Sequence, residues 1–194
     1  MALRHAVLTA LLDNELSGYD LAKAFGEKVG LFWHASPQQL YAELARLEDA
    51  GLITGREVLQ RRRPPKRLLT LTDAGLAELT HFAAESAKPS FLRDELLVKV
   101  HAERVADTDA LIEQLEDHAA RAAAKAQVLG DMLTGLRGPK HEAAYLATTN
   151  TPGPYLVCVR GRLFEQEKQT WCTWAADVLR ARTAGRPIPP LPPR

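Results

Sequence analysis

Cysteine is nearly absent from this sequence, with only Cys158 and Cys172 in 194 residues. On one helix their spacing corresponds to about 21 Å along the axis, at roughly 1.5 Å of rise per residue. No disulfide closes that gap. Neither a C-x-x-C pair nor a His/Cys grouping at metal-ligand spacing occurs, so a reduced, cytoplasmic setting is expected. A membrane span is missing too, because no apolar stretch approaches the ~20 residues required. Arg4 followed by Ala6 to Leu12 imitates the start of a secretory signal, but the run stops at Asp13-Asn14-Glu15 without a small-residue cleavage site, which predicts a core helix. Catalytic patterns are lacking as well. The histidines at 5, 34, 81, 101, 118 and 141 form no HExxH, and neither a nucleophile motif nor a glycine-rich phosphate loop is present. No enzyme, metal or cofactor is expected, and the histidines read as surface or cap residues.

Net charge is nearly absent at +1, yet its distribution is uneven. Between residues 55 and 70 stand Arg56, Arg61, Arg62, Arg63, Lys66 and Arg67 against the single acid Glu57, a local excess of five positive charges. The apolar pattern around this segment is orderly. Leu3, Ala6, Val7, Ala10 and Leu11 have the spacing of a buried helical stripe over residues 2 to 12. Ser17 can cap a second helix with Leu21, Ala24 and Phe25 inward, loosening between Gly26 and Gly30. Ser36, Pro37 and Gln39 spell a capping box with proline at the first helical position, and Leu40, Leu44 and Leu47 line the third helix, which ends near Gly51.

The polar face of that third helix carries Gln38, Gln39, Ala42, Glu43 and Arg46. Its N-terminus, with free amides and partial positive charge, suits a groove edge or a phosphate. A solvated helix face with an ordinary cap has the same pattern. The segment C-terminal to the helix favours the groove reading: Leu52 to Leu59 and Leu68 to Thr72 are β-prone runs, and Pro64-Pro65, unable to donate to a ladder, are expected in the turn between them. Alone, RRRPPKR is a solvated charge run or a nuclear import signal. Between two strands and after a capped helix, it reads as the tip of a wing that straddles phosphates.

AVLTALLDNELSGYDLAKAF, SPQQLYAELARLEDAGLI and LTLTDAGLAEL together resemble the winged helix-turn-helix head of PadR-like bacterial transcriptional regulators, over residues 3 to about 82. The matching positions are Ser17-Gly18-Tyr19, Trp33, Leu40-Tyr41, Leu47-Glu48, Gly51-Leu52 and Thr72-Asp73-Ala74-Gly75. Two departures stand out: Arg62 replaces the glycine that often precedes Arg-Pro, and Leu69 stands where tyrosine is common. The resemblance implies that Ser17, Tyr19, Ser36, Gln38, Gln39, Tyr41, Arg46, Arg61, Arg62, Arg63, Lys66 and Arg67 face double-stranded DNA.

Thr72 caps a fourth helix to Ala84, and Lys88-Pro89-Ser90 breaks the chain. Beyond the break, Phe91 to Arg104 carries Leu92, Leu96, Leu97 and Val100 on one side. Thr108 to Leu136 carries Leu111, Ile112, Leu115, Ala119, Ala122, Ala126, Leu129 and Leu133. A short helix is expected near Glu142 to Ala147 and a last one over Tyr155 to Arg182. Helices with such stripes and no sheet must cover them against each other or against a second subunit. Trp171, Trp174 and Val178 share one face of the last helix, either as core packing or, with Phe164, as the lining of a pocket for a small aromatic effector. The effector reading rests on the family's response to phenolic or drug-like ligands. Cys172 beside them reads as a small core residue, and the tail GRPIPPLPPR as a disordered, polyproline-like terminus.

The sequence thus predicts a mainly α protein. A winged helix-turn-helix domain with a two-stranded β-wing spans residues 1–86, an all-helical dimerisation and effector domain 90–183, and a disordered tail 184–194. The expected function is a homodimeric, ligand-responsive repressor on a palindromic operator. The alternative is a winged-helix protein-interaction module that does not bind DNA, from which the five excess charges on the wing distinguish it.

Overall fold

The computed structural model describes residues 2–27, 35–60, 63–87, 89 and 93–192. The chain divides into two compact units, Met1–Pro89 and Ser90–Arg194. Trp33, Arg61, Arg62, Lys88, Ser90, Phe91 and Leu92 lie outside the described residues.

The first unit runs α1 (Ala2–Leu11), β1 (Leu16–Ser17), α2 (Gly18–Glu27), α3 (Pro37–Asp49), β2 (Ile53–Gln60), β3 (Arg63–Leu71) and α4 (Asp73–Ala84). Its core joins Val7, Leu8 and Leu11 of α1, Leu21 and Phe25 of α2, and Leu40, Leu44 and Leu47 of α3 to Ile53 and Leu69 of the sheet. The stripes read from the sequence lie on the buried faces, but Leu8 of α1 is added to them, and Ala22 of α2 packs on the core where Ala24 was expected; each large side chain contributes about 1.5–3 kcal/mol by leaving water. Thr72 caps α4, its hydroxyl accepting from the Gly75 amide at 3.1 Å. Gly75 itself is forced by close approach, since a Cβ there would stand 2.1 Å from the Leu52 carbonyl oxygen.

Three features correct the sequence reading. The two-stranded wing of β2 and β3 is present, and a third strand extends the sheet at its base: β1 pairs antiparallel with β3 through Leu16 and Leu69, giving the order β1-β3-β2. A two-residue strand has no periodicity to detect. Secondly, Pro64 and Pro65 lie inside β3 and not in the turn. They fit because β1 covers β3 only at Leu68 and Leu69, leaving the proline stretch an open edge, while a register shift between Val58 and Gln60 interrupts the ladder with β2. Thirdly, His5 is neither a surface nor a cap residue. Its ring stacks on Phe82 at 3.8 Å between centroids, and Nε2 meets the Glu78 carboxylate at 3.2 Å.

The second unit comprises α5 (Glu95–His101), a 3₁₀ turn at Glu103–Val105, α6 (Thr108–Arg137), α7 (Glu142–Thr148) and α8 (Gly153–Thr183). All eight apolar residues read along α6 are buried. They are covered within the same chain by α8, whose Cys172, Ala175 and Ala176 join Leu111, Ile112, Leu115 and Ala119 in one core. The expected helix from Phe91 to Arg104 is shorter: Asp94 caps it, accepting from the Leu96 amide at 3.0 Å, and it closes at Ala102. Leu97 points outward, 38% exposed, so the stripe there is Leu96 and Val100. The hydroxyl of the buried Tyr155 donates to Glu142 at 2.9 Å and pins α7 to α8; burial first, then this bond, raises the phenol's pKa. Beyond α8, the Trp174 indole donates to the Pro189 carbonyl at 3.2 Å. Among the described residues no helix is long and apolar enough to cross a membrane.

Candidate nucleic-acid interface

The capping box at the head of α3 is complete. Ser36 Oγ accepts from the Gln39 amide at 3.2 Å, and the Ser36 amide donates to Gln39 Oε1 at 3.0 Å. Gln39 therefore commits its carbonyl to the cap, whereas Gln38 beside it is exposed and makes no side-chain hydrogen bond among the described residues. Farther along α3, Tyr41 is half-exposed and lies against Gly18 at the start of α2, where a Cβ would come within 2.7 Å of its ring. Glycine at 18 lets the two helices meet through that ring. Glu43, expected on the polar face, is buried between Arg4 at 3.9 Å and Arg46 at 3.2 Å. The neighbouring cations let a carboxylate face the α1 side of the helix.

At the start of α2, Ser17 is buried and its hydroxyl both donates to Asp20 Oδ2 at 2.8 Å and accepts from the Asp20 amide at 3.2 Å. It is a cap, which leaves Tyr19, 73% exposed, as the side chain that reaches solvent there.

The ribbon is less bare than its sequence suggests. Lys66 pairs with Asp20 at 2.6 Å, Arg67 with Glu48 of α3, and Arg56 with Glu15 before β1. The Lys66 bond, reinforced by that from Ser17, holds the Asp20 carboxyl below the usual carboxylate range. The local excess of five charges is therefore reduced in space by three acids that are distant in sequence. Strand register sorts these pairs to two faces. Arg67, opposite Glu57 and in phase with the buried Leu69, reaches α3 by passing over Gly55, where a Cβ would stand 2.4 Å from its Nε. Arg56 and Lys66 occupy the other face and meet the segment around β1. Ser36, Gln38, Gln39, Tyr41 and Arg46 all belong to α3 or its cap, and Lys66 and Arg67 to β3.

Sequence reasoning missed Glu15, Asp20 and Glu48. Ser17 and Asp20 do have cap spacing, which signals the short-range half of that contact. The cross-element pairs depend on strand register, which single-sequence patterning leaves free.

Trp171 and Trp174 pack against the α6–α8 core, while Phe164 is 40% exposed with the Arg160 guanidinium 5.5 Å from its ring centre. A cleft of about 370 Å³ is lined instead by Arg93, Asp94, Lys99, Gln114, His118 and Lys168, among others, and by none of the three aromatics. Cys158 and Cys172 are free and buried, and burial raises both thiol pKa values.

Comparison with known proteins shows the same division. Residues 7–81 match the Transcriptional regulator PadR-like family, and residues 92–180 match the Virulence activator alpha C-term family. Over 90 residues the chain is 40% identical to a probable transcriptional regulator, Rv1176c, of Mycobacterium tuberculosis, covering 46% of this chain and 48% of that protein. Over 100 residues it is 39% identical to the negative transcriptional regulator PadR of Bacillus subtilis, covering 51% and 55%. These alignments span about half the length of each curated relative. In three dimensions the similarity extends further: the Bacillus subtilis PadR structure in complex with operator DNA superposes with a TM-score of 0.75 at 28% identity, covering 92% of this chain and 99% of that one. The same regulator in complex with p-coumaric acid superposes with a TM-score of 0.69 at 27% identity, covering 93% and 99%.

Proposed function

The chain belongs to the PadR-like family of transcriptional regulators, and from that premise we propose that it represses transcription as a homodimer on a palindromic operator, in response to a small aromatic ligand. It is a regulator and not an enzyme. The observation that carries the DNA reading is the head of α3: a cap built from Ser36 and Gln39 that leaves Gln38 exposed, beside the cationic ribbon. In this reading α3 enters the major groove with Gln38 against base edges, Tyr41 and Arg46 beside it, and Tyr19 of α2 at the backbone. Ser17, Ser36 and Gln39 hold those helix ends in place. Arg61, Arg62, Arg63, Lys66 and Arg67 are the wing cations available to adjacent phosphates or the minor groove.

Repression is supported by the likeness to a negative regulator, and a DNA partner by the complex of Bacillus subtilis PadR with operator DNA. An effector is supported by that regulator's complex with p-coumaric acid, and Phe164, Trp171 and Trp174 are the aromatic side chains of α8 proposed to meet one. The α6 stripe is covered inside the chain, so the dimer draws its support from a second set of side chains. Leu156, Val157, Leu163 and Phe164 recur at heptad spacing on α8 and are exposed, as are Val128 and Leu136 on α6. A seam of this period suits another helix of the same kind.

The deciding experiment selects bound fragments from random duplex DNA and then tracks affinity against salt. Arg61, Arg62 and Arg63 replaced together by alanine should weaken all sequences alike and flatten the log-log salt slope by about 0.9 for each lost phosphate contact. An unchanged slope removes the wing from the interface. Absence of any selected sequence, with no salt-dependent binding, favours the protein-interaction module.

A further inference from the structure

We infer that Glu15, Asp20 and Glu48 are specificity-determining residues that suppress sequence-independent DNA binding by occupying the cations at the base of the wing. This inference rests on the DNA-binding reading of α3 and the ribbon. The three acids come from three places, the turn after α1, helix α2 and helix α3, yet each meets a cation of the β2–β3 ribbon: Arg56, Lys66 and Arg67 respectively. The pairing is built into the backbone at one point, because Gly55 leaves the space through which the Arg67 guanidinium reaches Glu48.

Sequence-independent affinity comes almost wholly from cations that release counterions when they meet phosphates. A cation already held by a carboxylate releases fewer counterions. It must also leave that partner, and the freed acid then faces the DNA backbone. Exposed pairs of this kind are weak, so they lower binding without preventing it. On a matching sequence α3 is seated by base contacts, which fix the register of the wing, and cations out of line with a phosphate stay with their acids. On random DNA charge alone orients the protein, so every cation freed adds to affinity.

The test compares the full-length protein with Glu15→Gln, Asp20→Asn, Glu48→Gln and the triple variant. One probe is a duplex of random sequence, the other the tightest sequence selected by the unaltered protein. The triple variant should bind random duplex several-fold more tightly, with a salt slope steeper by up to about 2.7, that is about 0.9 for each of three cations. Its ratio of selected to random affinity should fall. Gly55→Ala, which crowds the path of Arg67 to Glu48 without removing a charge, should shift random-duplex binding in the same direction as Glu48→Gln but by less, because Glu48 keeps its charge beside the backbone. Thermal unfolding identifies variants that fail to fold, and for those the remaining single variants supply the readout. Unchanged affinity and slope for random duplex in folded variants overturn the inference while leaving the DNA-binding reading intact. An unaltered protein that selects no sequence and shows no salt-dependent binding overturns both.

Discussion

At the scale of single residues, two glutamines that look equivalent in sequence separate in the structure. Gln38→Ala should cost about 1–3 kcal/mol of discrimination at one base pair, read by competition between selected and single-base-changed duplexes, with little effect on stability. Gln39→Ala should act mainly through the lost half of the capping box, lowering unfolding stability by about 1 kcal/mol. Gly75→Ala should be harsher, since the added carbon meets a backbone carbonyl that cannot move aside. A loss of about 2–4 kcal/mol in denaturant unfolding is expected. Asp20 gives the head an acid-sensitive contact. Its folded pKa is depressed, so its stabilising contribution is present above the ordinary carboxylate range and is lost as pH falls through the folded value. Asp20→Asn should therefore flatten the acid limb of stability against pH, by an amount kept small by the exposure of the pair. The capping box was legible in Ser36, Pro37 and Gln39 because caps are local. The buried Glu43 and the stacked His5 were not, because Arg4, Glu78 and Phe82, which help to set their surroundings, come from other helices.

At the scale of elements, periodicity was the reliable guide. Every apolar position read along the long helix α6 is buried, and Leu115, fully enclosed against α8, tests that packing. Leu115→Ala should destabilise the second unit by about 2–5 kcal/mol, measurable as an earlier Trp174 fluorescence transition. The hairpin was legible as a hairpin but not in its details. Proline's missing donor argued for a turn, and that argument assumes a continuous ladder on both sides. Here β1 is too short to reach the prolines and β2 shifts register beside them. The aromatic residues of α8 show the opposite limit: spacing put Trp171 and Trp174 on one face, yet spacing cannot distinguish a face that lines a cavity from one that closes a core.

At the scale of the whole molecule, the two units match two different family models, and the second carries an exposed heptad seam. A chain ending after Ala84 should bind the selected operator far more weakly than the full-length protein, because the second half-site is no longer engaged within one complex. Sedimentation of the full-length protein as a monomer overturns the dimer. The buried, protonated thiols of Cys158 and Cys172 lead to one more consequence. Because it is the thiolate that attacks an alkylating reagent, neither sulfur should react while α6 and α8 stay together. Their modification rate is therefore a clock for transient opening of that helix pair, started by adding reagent and read by mass. A dimer partner or an effector that clamps the pair should slow the clock, while an event confined to the wing should leave it running at the same pace.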